Sequence, residues 1–400
     1  MVAEQPRVVT LSEIEAIVST DTFATRLIEA ILNGFVEYSN GKFNAAPIQT
    51  LGVAPPLAPF SCGGSISSSP PSSTNDYYSA QTCVKSGYIT DSSYYCIKVA
   101  SGGYPFPANS GNIQLYSQTT GKLQVLLCDD GLLTELRTAA AGAVAAKLLA
   151  PNLSNDDDND EDDGSNNGCI GIVGTGIQAR YQLRYLKYIA TCRRVLVYGR
   201  TAANVVTFIH DMTNEGWNIT SVSNVDDLLQ YCTLIVTTTC AREPYLGIGW
   251  MGTNDPRRRH HHHHLTNKAR PLHINCIGSD STGKQELDNS LILHAQLLVC
   301  DSRLQTSERG EFQDVIQCGM IDVHNDVIEI GELAGRKELH RRRRRRRRRQ
   351  RAGKDVNDDD NDMHEVGEED NRLTIFDSSG VAVQDCVIAC MVYEALQQQL

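Results

Sequence analysis

No run in this chain approaches the roughly 18 consecutive apolar residues of a membrane-spanning helix, so no span is expected. The N-terminus, Met1 to Ile14, mixes charges with apolar residues and lacks the positive-then-apolar layout of a secretory leader. The expected location is therefore cytoplasmic. The 13 cysteines are an odd number and include no C-x-x-C pair. Most, such as Cys232, Cys276, Cys300 and Cys390, stand singly inside apolar stretches, which reads as reduced core thiols. A global basic field is also missing. With a net charge of −11, binding to nucleic acid is not expected.

What is present is length and a core. The chain has 400 residues, 41% of them hydrophobic, enough for two or three domains. Its charge is concentrated in blocks: Asn155 to Asp163 is almost all Asp and Asn, Arg341 to Arg349 is unbroken arginine, and Asp355 to Asp370 is again acidic. Three insertions, Asn155 to Asn167, Arg257 to His264 and Lys337 to Asp370, fall between expected elements, where extra length costs little. They read as disordered surface loops. The arginine run also has a reading as a nuclear-import or nucleic-acid patch. His260 to His264 lack a fixed second shell, so no metal site is expected.

Thr10 to Tyr38 reads as helical, with Thr10 and Ser12 as candidate caps, and Pro55 to Asp76 reads as a Pro/Ser/Gly-rich loop. Tyr94 to Val99, Ile113 to Ser117 and Leu123 to Leu127 read as strands, the last two joined by a turn at Thr119 to Lys122. Thr134 to Leu149 is an Ala-rich helix. From Cys169 strands and helices alternate. The strands are Cys169 to Val173, Arg194 to Val197, Leu234 to Thr238, Leu272 to Ile277 and Leu297 to Cys300, with a further strand at Thr374 to Phe376. A final helix covers Val381 to Leu396. This alternation predicts an α/β fold with a doubly wound parallel sheet of Rossmann type.

The strongest motif is Gly171-Ile172-Val173-Gly174-Thr175-Gly176-Ile177-Gln178-Ala179, which fits G-x-G-x-x-A after a strand and before a helix. Gly174 permits the tight turn, Gly176 the close approach of a pyrophosphate, and Ala179 close packing of helix on sheet. Gln178 lies in the same turn. The second strand leads into Gly199-Arg200-Thr201, where an NAD-preferring site usually carries an acidic residue for the ribose 2′-hydroxyl. A guanidinium at Arg200 suits a 2′-phosphate, so NADP(H) is the expected cofactor, with NAD(H) possible.

Five stretches taken together resemble the ornithine cyclodeaminase/mu-crystallin family. They are Ile97 to Gly103, Leu136-Arg137-Thr138-Ala139-Ala140-Ala141, the glycine motif, Gly278-Ser279-Asp280-Ser281-Thr282-Gly283-Lys284-Gln285-Glu286-Leu287, and Phe376 to Asp385. The resemblance implies an α+β substrate and dimerisation domain (residues 1–137 with 381–400) and a Rossmann NAD(P)-binding domain (138–380). It implies hydride transfer at the amine or imine carbon of an amino or imino acid, and a homodimer. By the same resemblance Lys98 and Arg137 hold the substrate carboxylate and Asp280 is the catalytic aspartate that relays a proton. Thr138, Thr238, Thr239, Asp377 and Ser378 fall at cofactor-contacting positions. Counting back from Lys98 without gaps, Lys85 stands where ornithine cyclodeaminases carry a glutamate. A lysine there repels a distal ammonium, so ornithine is expected to be a poor substrate and a neutral or anionic side chain a better one. The leading expectation is a ketimine reductase or amino-acid dehydrogenase. A redox-neutral ornithine cyclodeaminase and a non-catalytic NADPH-dependent binding protein are the alternatives.

Overall fold

A computed structural model of the chain describes residues 5–51, 81–102, 109–151, 153, 168–247, 271–337 and 373–398. The loop expected at Pro55 to Asp76, the insertions at Asn155 to Asn167 and Arg257 to His264, and the third insertion beyond Lys337 lie outside the described residues. The chain divides into two compact units. One comprises Met1–Ile31, Gly41–Arg137 and Ala382–Leu400; the other comprises Leu32–Asn40 and Thr138–Val381. Among the described residues no helix is long and apolar enough to cross a membrane.

The first unit is built on a sheet of β1 (Arg7–Val9), β2 (Phe43–Ala45), β3 (Gln49–Leu51), β4 (Gln81–Ile89), β5 (Tyr94–Gly102), β6 (Asn109–Ser117) and β7 (Leu123–Leu127). The order is β1-β7-β6-β5-β4-β2, with β3 also on β4; β1 pairs with β7 in parallel and the other pairs are antiparallel. The turn between β6 and β7 is the one expected: Ser117 and Gly121 close it through backbone bonds from Ser117 N to Lys122 O and from Gly121 N to Ser117 O. The N-terminal helical pattern proves to be two helices, α1 (Leu11–Val18) and α2 (Asp21–Ser39). Thr10 and Glu13 form a capping box at the start of α1, whereas Ser12 lies inside the helix. The break comes at Thr20, whose hydroxyl accepts from Phe23 N and starts a new helix. The C-terminal helix (Ala382–Gln398) packs on β4, β5 and β6 with Val383, Ile388, Ala389, Val392 and Leu396 buried.

The chain passes to the second unit within α3 (Leu132–Leu149). There an eight-stranded sheet is parallel throughout, in the order β10-β9-β8-β11-β12-β15-β13-β14. Its strands are β8 (Ile170–Val173), β9 (Arg194–Tyr198), β10 (Asn218–Ser221), β11 (Leu234–Thr237), β12 (Leu272–Cys276), β13 (Leu297–Cys300), β14 (Val327–Glu329) and β15 (Leu373–Asp377). Helices α4 (Ile177–Leu186), α5 (Ala202–Asn214) and α6 (Asp226–Tyr231) connect the first of them. Every residue of β8, β11 and β12 is buried, as expected for central parallel strands covered on both faces. Two apolar clusters form those layers, one around Leu183, Phe208 and Met212 and the other around Leu228, Leu291 and Phe312. The strand read last in the chain does not extend an edge. β15 enters between β12 and β13, so its Asp377 end emerges in the middle of the sheet.

His273 on β12 is fully buried and held by polar partners. Its Nδ1 lies 2.8 Å from Thr374 Oγ1 and its Nε2 2.7 Å from Asn275 Oδ1, while Asn275 Nδ2 donates to Gly142 O at 2.9 Å. Burial lowers its pKa from 6.5 to about 4. A depressed folded-state value contributes stability above pH 6.5 that is lost as pH falls through about 4. The loss amounts to about 3 kcal/mol when complete. Urea unfolding from pH 7 to pH 4 should show this acid-side slope, and His273→Gln should flatten it.

Candidate functional site

The turn from β8 into α4 carries the glycine motif. Gly174 has a φ of +102°, a region costly for any side chain, and a Cβ there would meet Thr238 Oγ1 at 2.8 Å and Thr238 O at 3.1 Å. Its N–H donates to Tyr198 O at 2.9 Å, which ties the turn to the end of β9. Gly176 is different. A Cβ there would meet nothing within 4 Å, and it precedes α4 as an N-cap with no capping side chain and no acidic residue in the first turn. Open space in front of this glycine N-cap fits a dinucleotide pyrophosphate at a helix N-terminus. Ala179 is buried, and Gln178 accepts from Gln182, which also bonds Thr138 O at 3.2 Å. Arg180 braces the turn from below, donating to Thr175 O at 2.6 Å and pairing with Asp211 at 2.7 Å. Arg200 and Thr201 are exposed just past the carboxyl end of β9, beside this turn.

Two loops flank the turn at the carboxyl edge of the sheet. After β11, Thr238 donates to Val173 O through its N–H at 2.9 Å and its hydroxyl at 3.0 Å. Thr239 follows, held by the buried carboxylate of Glu286. After β12, Asp280 is exposed and pairs with Lys284 at 2.7 Å, while Arg309 Nε donates to its carbonyl. Burial works against the charge of Lys284, but Asp280 outweighs it and the lysine's pKa is raised.

Asp377 and Ser378, expected beside the cofactor, are both buried. The Asp377 carboxylate is turned inward onto the Thr306 hydroxyl, and burial together with nearby Asp301 raises its pKa to about 8. Asp301 in turn accepts from Ser379 and Gly380 N, which fixes the chain just before the C-terminal helix.

The first unit gathers a buried cluster of cations around one carboxylate. Lys98 Nζ donates to Asp385 Oδ1 at 2.8 Å and lies 3.4 Å from Thr134 Oγ1. Arg137 Nε is 3.0 Å from the same Asp385 oxygen, an ion pair outside hydrogen-bond geometry, and its Nη1 donates to Gln384 Oε1 at 2.6 Å. Lys85 is directly opposite Lys98 in the β4–β5 register, so both project to one face, and its charge acts on Asp385. Side-chain exposure is 3% for Lys98, 7% for Arg137 and 1% for Asp385. At that depth each ion depends on its counter-ion. Burial alone would raise the Asp385 pKa, but Lys98, Arg137 and Lys85 hold it below the usual carboxylate range. Lys98 moves down as well, because burial and then the neighbouring Arg137 outweigh the attraction of Asp385. Asp385 is therefore the firmly ionised centre of the cluster. Asp129 lies on the same side, its Oδ2 accepting from Leu133 N at the start of α3.

Sequence reasoning thus named Lys85, Lys98 and Arg137, and the fold brings those three together. It also named Gly174, Thr238 and Thr239, which meet at the ends of β8 and β11. It missed Asp385, Gln384 and Glu286 as parts of the sites. All three lie inside stretches already quoted for the resemblance, and Asp385 is a charged residue one helical turn into an apolar helix. That signal was legible.

The profile of the ornithine cyclodeaminase/mu-crystallin family matches residues 100–254 and 269–345. An uncharacterized cyclodeaminase of Sinorhizobium fredii is 29% identical over 325 residues, 79% of this chain and 80% of the relative. Alanine dehydrogenase of Archaeoglobus fulgidus is 30% identical over 281 residues, 70% of this chain and 68% of the relative. Among solved structures, the Thermococcus litoralis Δ1-pyrroline-2-carboxylate reductase in complex with NADH and L-proline superposes with a TM-score of 0.70 at 22% identity, covering 98% of each chain. The fold, the glycine turn and these matches agree: the chain belongs to the ornithine cyclodeaminase/mu-crystallin family.

Proposed function

We propose that the protein is an NADPH-dependent oxidoreductase that reduces the C=N carbon of an imino acid, in the manner of a ketimine reductase or amino-acid dehydrogenase. The observation that carries this reading is the buried pairing of Lys98 and Arg137 with Asp385 on one unit, on a chain whose other unit presents the bare N-terminus of α4 behind Gly174 and Gly176. The resemblance and the alanine dehydrogenase relative support it.

A reduced nicotinamide bound in the cradle would supply hydride to the imine carbon. The chain's own residues do the rest. Arg137 and Lys98 hold the substrate carboxylate, the guanidinium by its planar fork and the ammonium as a point charge. This fixes the imine carbon for attack, which is catalysis by positioning. Asp280, exposed on its loop after β12, relays a proton from solvent to the nitrogen. Gly174, Gly176, Gln178, Ala179, Thr138, Thr238 and Thr239 form the cofactor cradle. Asp377 and Ser378 stand at the cofactor-contacting positions that the resemblance implies. Arg200, with Thr201, selects the 2′-phosphate of NADP(H) over NAD(H). Lys85 beside Lys98 disfavours a cationic distal group and favours a neutral or anionic one. Assembly as a homodimer belongs to the same reading.

The test is the absorbance of reduced nicotinamide when the protein meets NADPH, or NADH, with cyclic ketimines or with 2-oxo acids plus ammonia. The expected result is steady net oxidation, faster with NADPH, and little turnover of ornithine. Conversion of ornithine to proline with ammonia release and no net redox change would overturn the proposal in favour of a cyclodeaminase. Cofactor binding with no turnover at all would favour a binding protein.

A further inference from the structure

Glu286 is completely buried, yet five donors converge on its two oxygens. Oε1 accepts from Thr239 N at 2.7 Å, Thr239 Oγ1 at 2.7 Å and the Tyr245 hydroxyl at 2.9 Å. Oε2 accepts from Thr237 Oγ1 at 2.7 Å and Gly278 N at 2.9 Å. These donors come from the end of β11, the loop after it and the loop after β12. One carboxylate therefore fastens both loops at the carboxyl edge of the sheet, where open parallel sheets take their ligands.

Its own backbone is fastened in turn. Glu286 N and Leu287 N donate to the buried carboxylate of Glu311, and Tyr245 N donates to Glu286 O at 3.0 Å. The connection reaches the glycine turn through Thr238 and Thr239. The Cβ position of Gly174 is 2.8 Å from Thr238 Oγ1 and 3.3 Å from Thr239 Cγ2, so these two residues form the wall against which the turn is packed.

We propose that Glu286 is a positioning residue for the cofactor: by holding Thr239 N and Gly278 N it fixes the wall behind the Gly174 turn and so the geometry of the dinucleotide cradle. The proposal rests on the nicotinamide-cofactor reading above. Burial raises the Glu286 pKa, and the bonds from Thr237, Thr239 and Tyr245 act against that shift. An amide in its place would point an NH2 group at either Thr239 N or Gly278 N, leaving at least one backbone N–H orphaned in the interior, while the hydroxyls can turn to accept.

The experiment measures binding of NADPH to the full-length protein by quenching of intrinsic fluorescence, alongside thermal melting and steady-state kinetics, for wild type, Glu286→Gln and Tyr245→Phe. Glu286→Gln is expected to weaken NADPH about tenfold or more, with a parallel rise in its KM and little change in the substrate's KM. Tyr245→Phe removes one hydroxyl donor without orphaning a backbone N–H, and should weaken NADPH by about threefold while melting as wild type. A purely structural Glu286 would lower the melting temperature and leave NADPH affinity of the folded variants unchanged, which overturns the proposal. If Glu286→Gln does not fold, Tyr245→Phe decides: weaker NADPH binding at unchanged melting temperature supports the proposal, and unchanged binding overturns it. If wild type binds neither NADPH nor NADH, the cofactor reading itself has failed, and the proposal falls with it.

Discussion

Asp385→Asn should destabilise the unit built on β4 to β7 by about 3–5 kcal/mol and abolish activity. The substitution keeps the shape of the side chain and removes only its charge. Lys98 and Arg137 would then be two cations, 3% and 7% exposed, left without the carboxylate they share. Little of either side chain reaches solvent, so water can offset only a small part of that charge. The pH dependence separates this from simple loss of packing. In the wild type the Asp385 pKa is depressed, so its contribution is present above pH 3.9 or so, the unfolded value, and is lost as pH falls through the lower folded value. The Asn variant should be weaker across the neutral range and should lack that acid-side loss. Urea unfolding followed by far-UV circular dichroism, read as the transition of this unit, tests it. A variant as stable as wild type at pH 7 would mean that the cations do not depend on Asp385.

The second large effect is expected at Gly278, two residues beyond β12 and two before Asp280. A Cβ there would lie 2.0 Å from Thr239 O and 2.6 Å from Thr239 N, with Glu286 Oε1 at 2.7 Å. Two of these are backbone atoms that no rotamer change can move aside. Gly278→Ala must therefore push apart the loops after β11 and β12, at a cost of about 3 kcal/mol or more. Cofactor binding should fall with it. Gly176→Ala is the matched control, because its Cβ would enter open space. It should melt like wild type and lose affinity only, the added methyl standing where a pyrophosphate approaches. Thermal melting and NADPH titration of the pair give the answer. Equal melting temperatures would show that the two loops do not touch as described.

Much of the dinucleotide half was legible because its signal is local. Strand, glycine turn and helix follow one another within Gly171 to Ala179, and the physical demand on each residue is set by its near neighbours. The parallel sheet was legible for the same reason: its central strands are buried on both faces and read as continuous apolar runs. Expectations were less secure where local pattern was weak. β4 alternates only loosely and carries Lys85 and Gly87, so it gave no strand signal by itself, although it is a central strand on which the placement of Lys85 depends. The break between α1 and α2 turns on a single hydroxyl, that of Thr20.

Local residue pattern was enough for the Rossmann domain, the glycine turn and the family, and it singled out Lys85, Lys98 and Arg137 as cations of interest. What those cations pair with depends on segments far apart in the chain. Asp385 lies 287 positions from Lys98 in the chain and meets it because the C-terminal helix packs back on β5. Glu286 joins loops from separate strands in the same way, and β15 reaches the middle of the sheet only by pairing on both edges. Local pattern records what each segment demands of its near neighbours. A buried charge draws its counter-ion from wherever the fold supplies one, and that choice becomes visible only when distant segments are packed together.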